Sequence, residues 1–216
     1  MSSIQEFIFF LPNLFLLLVG SYVIKNYPQF KAELRVISWF IFLSLIFQIP
    51  SYILGLFGNN NLPFLHFYTP LSFVCLTVFY QRVFRQFVHP SLLWWIMGFF
   101  VLFSCVNTIF WQELKSFNSY ALSLESVLII IYSLSLFTLL LDASVREEKR
   151  ELLSSLVWIN SGLLIYHTSG LLLFYFGDLL THFTTVKFRI SWIFHSFIYF
   201  VLFVCIIIGL WKHPKK

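Results

Sequence analysis

The sequence predicts an all-α, polytopic membrane protein: a seven-transmembrane helix bundle occupying residues 1–216 as one domain, N-terminus outside and C-terminus cytoplasmic. Three observations predict it. First, 59% of the 216 residues are hydrophobic and only 11% are charged, where a soluble domain carries roughly 25%. Second, the apolar residues gather into seven runs long enough to cross a bilayer. Third, Lys and Arg are unevenly shared between alternate loops. The loops after the first, third and fifth runs and the C-terminal tail hold eleven, and the N-terminus and remaining loops hold three. Positive-inside bias puts the richer side in the cytoplasm. The same loops account for the net charge of +5, so nucleic-acid binding is not expected.

The first span, about 5–24, carries Pro12 and Asn13. It lacks a preceding basic region and a small-x-small cleavage site, so it reads as a retained helix. The second, about 36–57, puts Ser44, Gln48, Ser51 and Gly55 on one face. Pro50 should kink it and free a carbonyl for Gln48, Ser51 or a neighbour. GNNNLP then makes a tight turn. The third span, about 62–80, carries a stripe of His66, Thr69, Phe73, Thr77 and Tyr80. The fourth, about 92–110, has Trp94 and Trp95 as interface anchors, with Asn107 and Thr108 near its far end.

The fifth span, about 119–141, organises the rest. Asn118, Glu125 and Tyr132 recur every seven residues, with Ser119, Ser126 and Ser133 one step round. On a helix they form one polar seam that cannot face lipid comfortably. The sixth span, about 156–176, holds Asn160 and His167 seven apart, and Gly162, Tyr166 and Gly170 at steps of four, where a neighbouring helix can come close. The seventh, about 190–210, carries Ser191, His195 and Tyr199 at steps of four. Between the fifth and sixth lies DASVREEKRELLS, the most charged segment, which reads as a solvated helix end. Cys75, Cys105 and Cys205 have no spacing partners and read as small buried hydrophobes.

Depth follows from about 1.5 Å of rise per residue: His66 lies roughly 6 Å below the outer surface, Glu125 and His195 roughly 9 Å, and Gln48 and His167 roughly 14 Å. All the ionisable groups within spans therefore fall in the outer half, above nearly pure hydrocarbon such as LFTLLL and FVLFVCIIIGL. An intramembrane carboxylate calls for a partner or a function. The distribution predicts an outward-facing ligand pocket built from His66, Tyr68, Gln48, Asn118, Glu125, Tyr166, His167 and His195. Each has a structural alternative: Glu125 can simply bond His66 or His195, the tyrosines can be packing residues, and Asn118 can be an N-cap.

The segments LHFYTPLSF, FNSYALSLES, WINSGLLIYHTSG and WIFHSFIYFVLF resemble those of an uncharacterised seven-transmembrane inner-membrane protein family common in Bacteroidota. The matching positions are His66, Tyr68 and Thr69; Phe117, Asn118, Ser119 and Glu125; Trp158, Ile159, Asn160 and Gly162; and Trp192 and His195. Where the family's helix 3 motif continues to Glu-Phe, this chain has Ser72 and Phe73, which removes one carboxylate and weakens any two-carboxylate mechanism. The resemblance implies a multi-pass protein of a Gram-negative inner membrane and brings no established activity.

Three functions compete. A ligand-sensing module would bind a small polar or cationic molecule and signal to a cytoplasmic partner, docked on the charged loop through Arg146, Lys149 and Arg150. An intramembrane hydrolase would use His66, Glu125 and His195 to hold zinc or iron, donors that suit either metal. It lacks the His-x-x-x-His pair of ceramidase-type enzymes, having Ser191, His195 and Tyr199 instead. A small transporter would need a polar path, which the dry inner ends oppose.

Overall fold

The computed structural model describes residues 3–176 and 185–213, with side chains described for 10–89, 91–176 and 192–213. Lys187, Arg189 and Ser191, and the last lysines of the tail, lie outside the described side chains. All regular structure among the described residues is helical. The helices are α1 (Ser3–Asn26), α2 (Ala32–Leu56), α3 (Leu62–Phe84), α4 (Pro90–Val106), α5 (Ser119–Leu139), α6 (Ala143–Glu148), α7 (Leu153–Tyr175) and α8 (Thr185–Trp211). A π-helical turn, Asn107–Trp111, extends α4. Among the described residues, six stretches of 20 to 25 residues, in α2, α3, α4 with its extension, α5, α7 and α8, are long and apolar enough to cross a membrane. A helix satisfies its own backbone bonds, which is why it can cross hydrocarbon. The protein is an integral, multi-pass membrane protein in contact with lipid.

Packing closes six of the helices into a ring. α1 packs on α2 and α8, α2 on α3, α3 on α5, α5 on α7, and α7 on α8. α4 lies outside the ring against α3 and α5, with Trp95, Phe99, Leu102, Ile109 and Phe110 exposed on its outer side. Because lipid tails are as apolar as leucine, such helices associate through close packing and interhelical hydrogen bonds. The α7–α8 contact shows this most sharply. A Cβ added at Gly162 would stand 2.6 Å from Cβ of Cys205 and 3.2 Å from the Leu202 carbonyl oxygen; one added at Gly209 would stand 2.9 Å from the Ser155 carbonyl oxygen. Gly170 differs: its space is filled by the Phe174 ring of its own helix, at 2.8 Å.

The two ends of the bundle are chemically distinct. At one, Lys31 forms an ion pair with Glu151, the Gln86 amide stands against the Glu148 carboxylate, and His213 Nε2 donates to the Gln29 carbonyl at 3.0 Å. The segments after α1, α3, α5 and α8 therefore share this charged end. At the other end Gly58 takes φ 71°, which L side chains rarely adopt, in the α2–α3 turn. Asn60 ties that turn to the α4–α5 loop by donating to the Lys115 carbonyl at 3.1 Å.

Asp142 caps α6, accepting from the Ser144 backbone N–H at 2.8 Å and the Ser144 hydroxyl at 2.6 Å. Those bonds hold its carboxyl below the ordinary aspartate value. A depressed folded-state value means that the cap's support is present above the unfolded value and is lost as pH falls through the folded one. The Ser144 amide resonance should therefore hold its position from neutral pH through the ordinary aspartate range and move only below it. Movement centred at or above that range contradicts the cap.

Candidate functional site

A cavity of about 600 Å³ lies inside the ring, displaced toward the end that holds the 58–62 turn. Its described walls come from α1, α2, α3, α5, α7 and α8 and from Phe117 just before α5; α4 contributes none. Leu56, Asn61, Leu62, Phe117 and Phe174 line it near the turn, and Phe40, Leu76 and Leu202 line it at depth.

Six of the eight predicted binding residues meet here: Gln48, Tyr68, Glu125, Tyr166, His167 and His195 all line the cavity. Helical period explains how. On α2, Gln48, Ser51 and Gly55 fall on one face, and that face is a wall. On α7, Tyr166 and His167 flank the ridge that turns inward, and on α8 His195 and Tyr199 are one turn apart. The stripes that were separate in sequence thus converge on one space.

His66 and Asn118 are not in that space. His66 Nε2 donates to the Ser116 carbonyl at 3.0 Å, and its Nδ1 lies 3.0 Å from the Thr108 hydroxyl. It pins the α4–α5 loop onto α3. Asn118 stands at the N-cap position of α5 but makes no side-chain cap. Its Oδ1 accepts from the Asn107 amide at 2.8 Å, and that amide also reaches Gln112 Oε1 at 3.0 Å. Gln112 in turn accepts from the Tyr120 N–H at 3.1 Å. These groups form a buried knot where α4 meets α5, at the end of the bundle that holds the 58–62 turn.

Glu125 is the centre of the cavity chemistry. It is only 4% exposed. Its Oε1 accepts from the Ser72 hydroxyl at 2.6 Å, and among the described residues Oε2 has no hydrogen-bond partner. Ser72 is thus the partner of the carboxylate. Tyr68 is held in place by a 2.9 Å bond between its hydroxyl and that of Ser44. His167 Nδ1 lies 3.2 Å from the Ser126 hydroxyl. Ser126 is fully buried and is not part of the cavity wall, so this pair presents no nucleophile to a substrate.

His195 sits among aromatic rings: Phe174 at 5.3 Å between centroids, Trp192 at 5.5 Å, Tyr166 at 5.6 Å and Tyr199 at 6.3 Å. Its Nδ1 is buried with no hydrogen-bond partner among the described residues. The zinc or iron set expected from His66, Glu125 and His195 is not brought together, because both nitrogens of His66 are engaged by Thr108 and Ser116. Among the described residues no group of three or more His, Cys, Asp or Glu side chains is placed to hold a metal ion.

Sequence reasoning did not assign Ser72, Ser51, Tyr52 or Ser196 to the site, yet all four line the cavity. For Ser51 a signal existed, since it shares the Gln48 face. A second polar cluster below the cavity also went unassigned. The Tyr80 hydroxyl donates to Asn160 Oδ1 at 2.7 Å and lies 2.7 Å from the Ser133 hydroxyl, while the Asn160 amide donates to the Ser133 carbonyl at 2.9 Å. This clamp joins α3, α5 and α7 with its named groups paired to one another.

Of the docking residues, Lys149 is 3.1 Å from Glu148 and Arg150 is 3.4 Å from Glu147. Arg146 is exposed and makes no ion pair among the described residues. Comparison with family models, with curated proteins and with solved structures finds no match for this chain.

Proposed function

We propose that this protein is a seven-span sensor of a Gram-negative inner membrane, with its N-terminus and cavity outward, that binds a small molecule and reports it to a cytoplasmic partner. The observation that carries the reading is convergence: six polar or aromatic side chains, drawn from five helices, line one cavity of about 600 Å³. That volume falls within the roughly 300–1,000 Å³ of small-molecule sites. A buried carboxylate with one free oxygen inside a membrane bundle marks a functional site by default. The eleven-to-three division of basic residues supports the orientation. The motifs that resemble the Bacteroidota family support the location.

Reporting has a physical route. α5 and α7 both wall the cavity, and the charged segment containing α6 connects them. A ligand that shifts one wall against the other displaces that segment, where Arg146, Lys149 and Arg150 would meet the partner. The test is a thermal-shift screen of small molecules against purified wild type and a Ser196→Phe variant, which fills the cavity from α8. Ligands that stabilise wild type and not the variant support the reading. A broad screen in which every hit stabilises both equally removes it.

A further inference from the structure

We propose that the cavity takes a lipophilic organic monocation, its ammonium group seated between Glu125 and the aromatic wall. This deepens the ligand-binding reading and rests on it. Charge comes first. Glu125 is the one acid among the described lining residues, and no Lys or Arg is among them. Ser72 satisfies Oε1, and among the described residues Oε2 has no partner. A carboxylate withdrawn from water without a counter-charge is costly; a ligand that carries the counter-charge removes that cost. An anionic ligand would meet like charge, with no Lys or Arg among the described lining residues to neutralise it.

Shape and surface agree. Tyr68, Tyr166, Tyr199 and Trp192 line the same space as Glu125, and faces of tyrosine and tryptophan attract cations, quaternary ammonium groups above all. Leu62, Leu65, Leu76 and Leu202 supply apolar wall above and below, which suits a hydrocarbon body attached to the cationic head. The same charge inventory separates a simple ammonium from a phosphocholine lipid headgroup. The latter brings a phosphate as well, and the described walls hold no cation to receive it.

The experiment titrates the full chain in maltoside micelles by calorimetry with benzyltrimethylammonium and with neopentylbenzene, its neutral isostere. Phenylmethanesulfonate serves as the anionic counterpart and dodecylphosphocholine as the headgroup probe. The ammonium should bind about tenfold more tightly than the isostere. Glu125→Gln, whose amide oxygen still accepts from Ser72, should bring the two to equal affinity, with the melting temperature confirming a folded variant. Tyr166→Leu should weaken the ammonium several-fold and leave the isostere unchanged. Equal affinity of wild type for both, or no effect of Glu125→Gln, overturns the proposal. Binding of the isostere or sulfonate without the ammonium overturns the ligand class and leaves a ligand-binding protein. Tighter binding of dodecylphosphocholine than of the ammonium assigns the site to a lipid headgroup and overturns the simple cation. Failure of every probe, together with a screen that finds no ligand, removes both readings.

Discussion

Gly162→Leu should destabilise the bundle by about 3 kcal/mol, the largest loss expected from any single substitution considered above. Overpacking ordinarily costs about 1–3 kcal/mol and occasionally more, depending on whether the neighbours can yield. Here they cannot yield cheaply. The first added carbon alone would stand 2.6 Å from Cβ of Cys205 and 3.2 Å from a backbone oxygen of α8. Separating α7 from α8 relieves the clash but forfeits the packing that holds helices together in lipid. Reversible unfolding in mixed micelles reads the loss. Gly98→Leu is the control, because a Cβ there meets nothing within 4 Å. Its stability should be unchanged or slightly raised, since glycine is the poorer helix former. If the two variants unfold alike, the close α7–α8 approach is wrong.

Asn160→Ala should cost about 2 kcal/mol. Interhelical hydrogen bonds in membranes average about 0.6 kcal/mol and reach about 1.7. Asn160 makes two, one to the Tyr80 hydroxyl and one to the Ser133 carbonyl, and it is fully buried. Removing it leaves buried groups of α3 and α5 short of a partner. A double-mutant cycle with Tyr80→Phe separates the clamp from simple packing. Coupling of about 1 kcal/mol is expected for residues in one hydrogen-bond network. Additive losses would show that Tyr80 and Asn160 do not share a bond.

The polar seam of α5 shows how far the sequence could be read. Its seven-residue recurrence places Asn118, Glu125 and Tyr132 on one side, and all are at most 5% exposed, as are Ser119, Ser126 and Ser133. The helical period was enough to say which face turns inward. It could not say that three heights of the same face do three different things. Asn118 ties the knot with Asn107, Glu125 faces the cavity, and Ser133 joins the clamp with Tyr80 and Asn160. Nor could it rank neighbours. These spans are apolar nearly all round, so periodicity does not say which helix lies next to which, and the place of α4 outside the ring had no signature.

Two misplacements have a local cause. Depth and stripe place His66 in the pocket, but its partners come from a π-helical turn and from a loop that folds back to present the Ser116 carbonyl. Neither is written in a periodic pattern. Gly162 and Gly170 looked equivalent at a spacing of eight. One admits α8 and the other admits a ring from its own helix, a difference set by the side chain a turn further on.

The seam between α1 and α8 has a consequence for biosynthesis. α1 leaves the ribosome well before α8, so one of its two ring neighbours is missing until α8 has been made. Until then the nascent chain is an open arc, and the half-built cavity exposes Glu125 to bilayer or solvent with Tyr199 and Trp192 still to come. Every product shortened before α8 therefore displays an intramembrane carboxylate and an uncovered flank of α7. Those are features by which membrane quality control can tell an unfinished chain from a completed one.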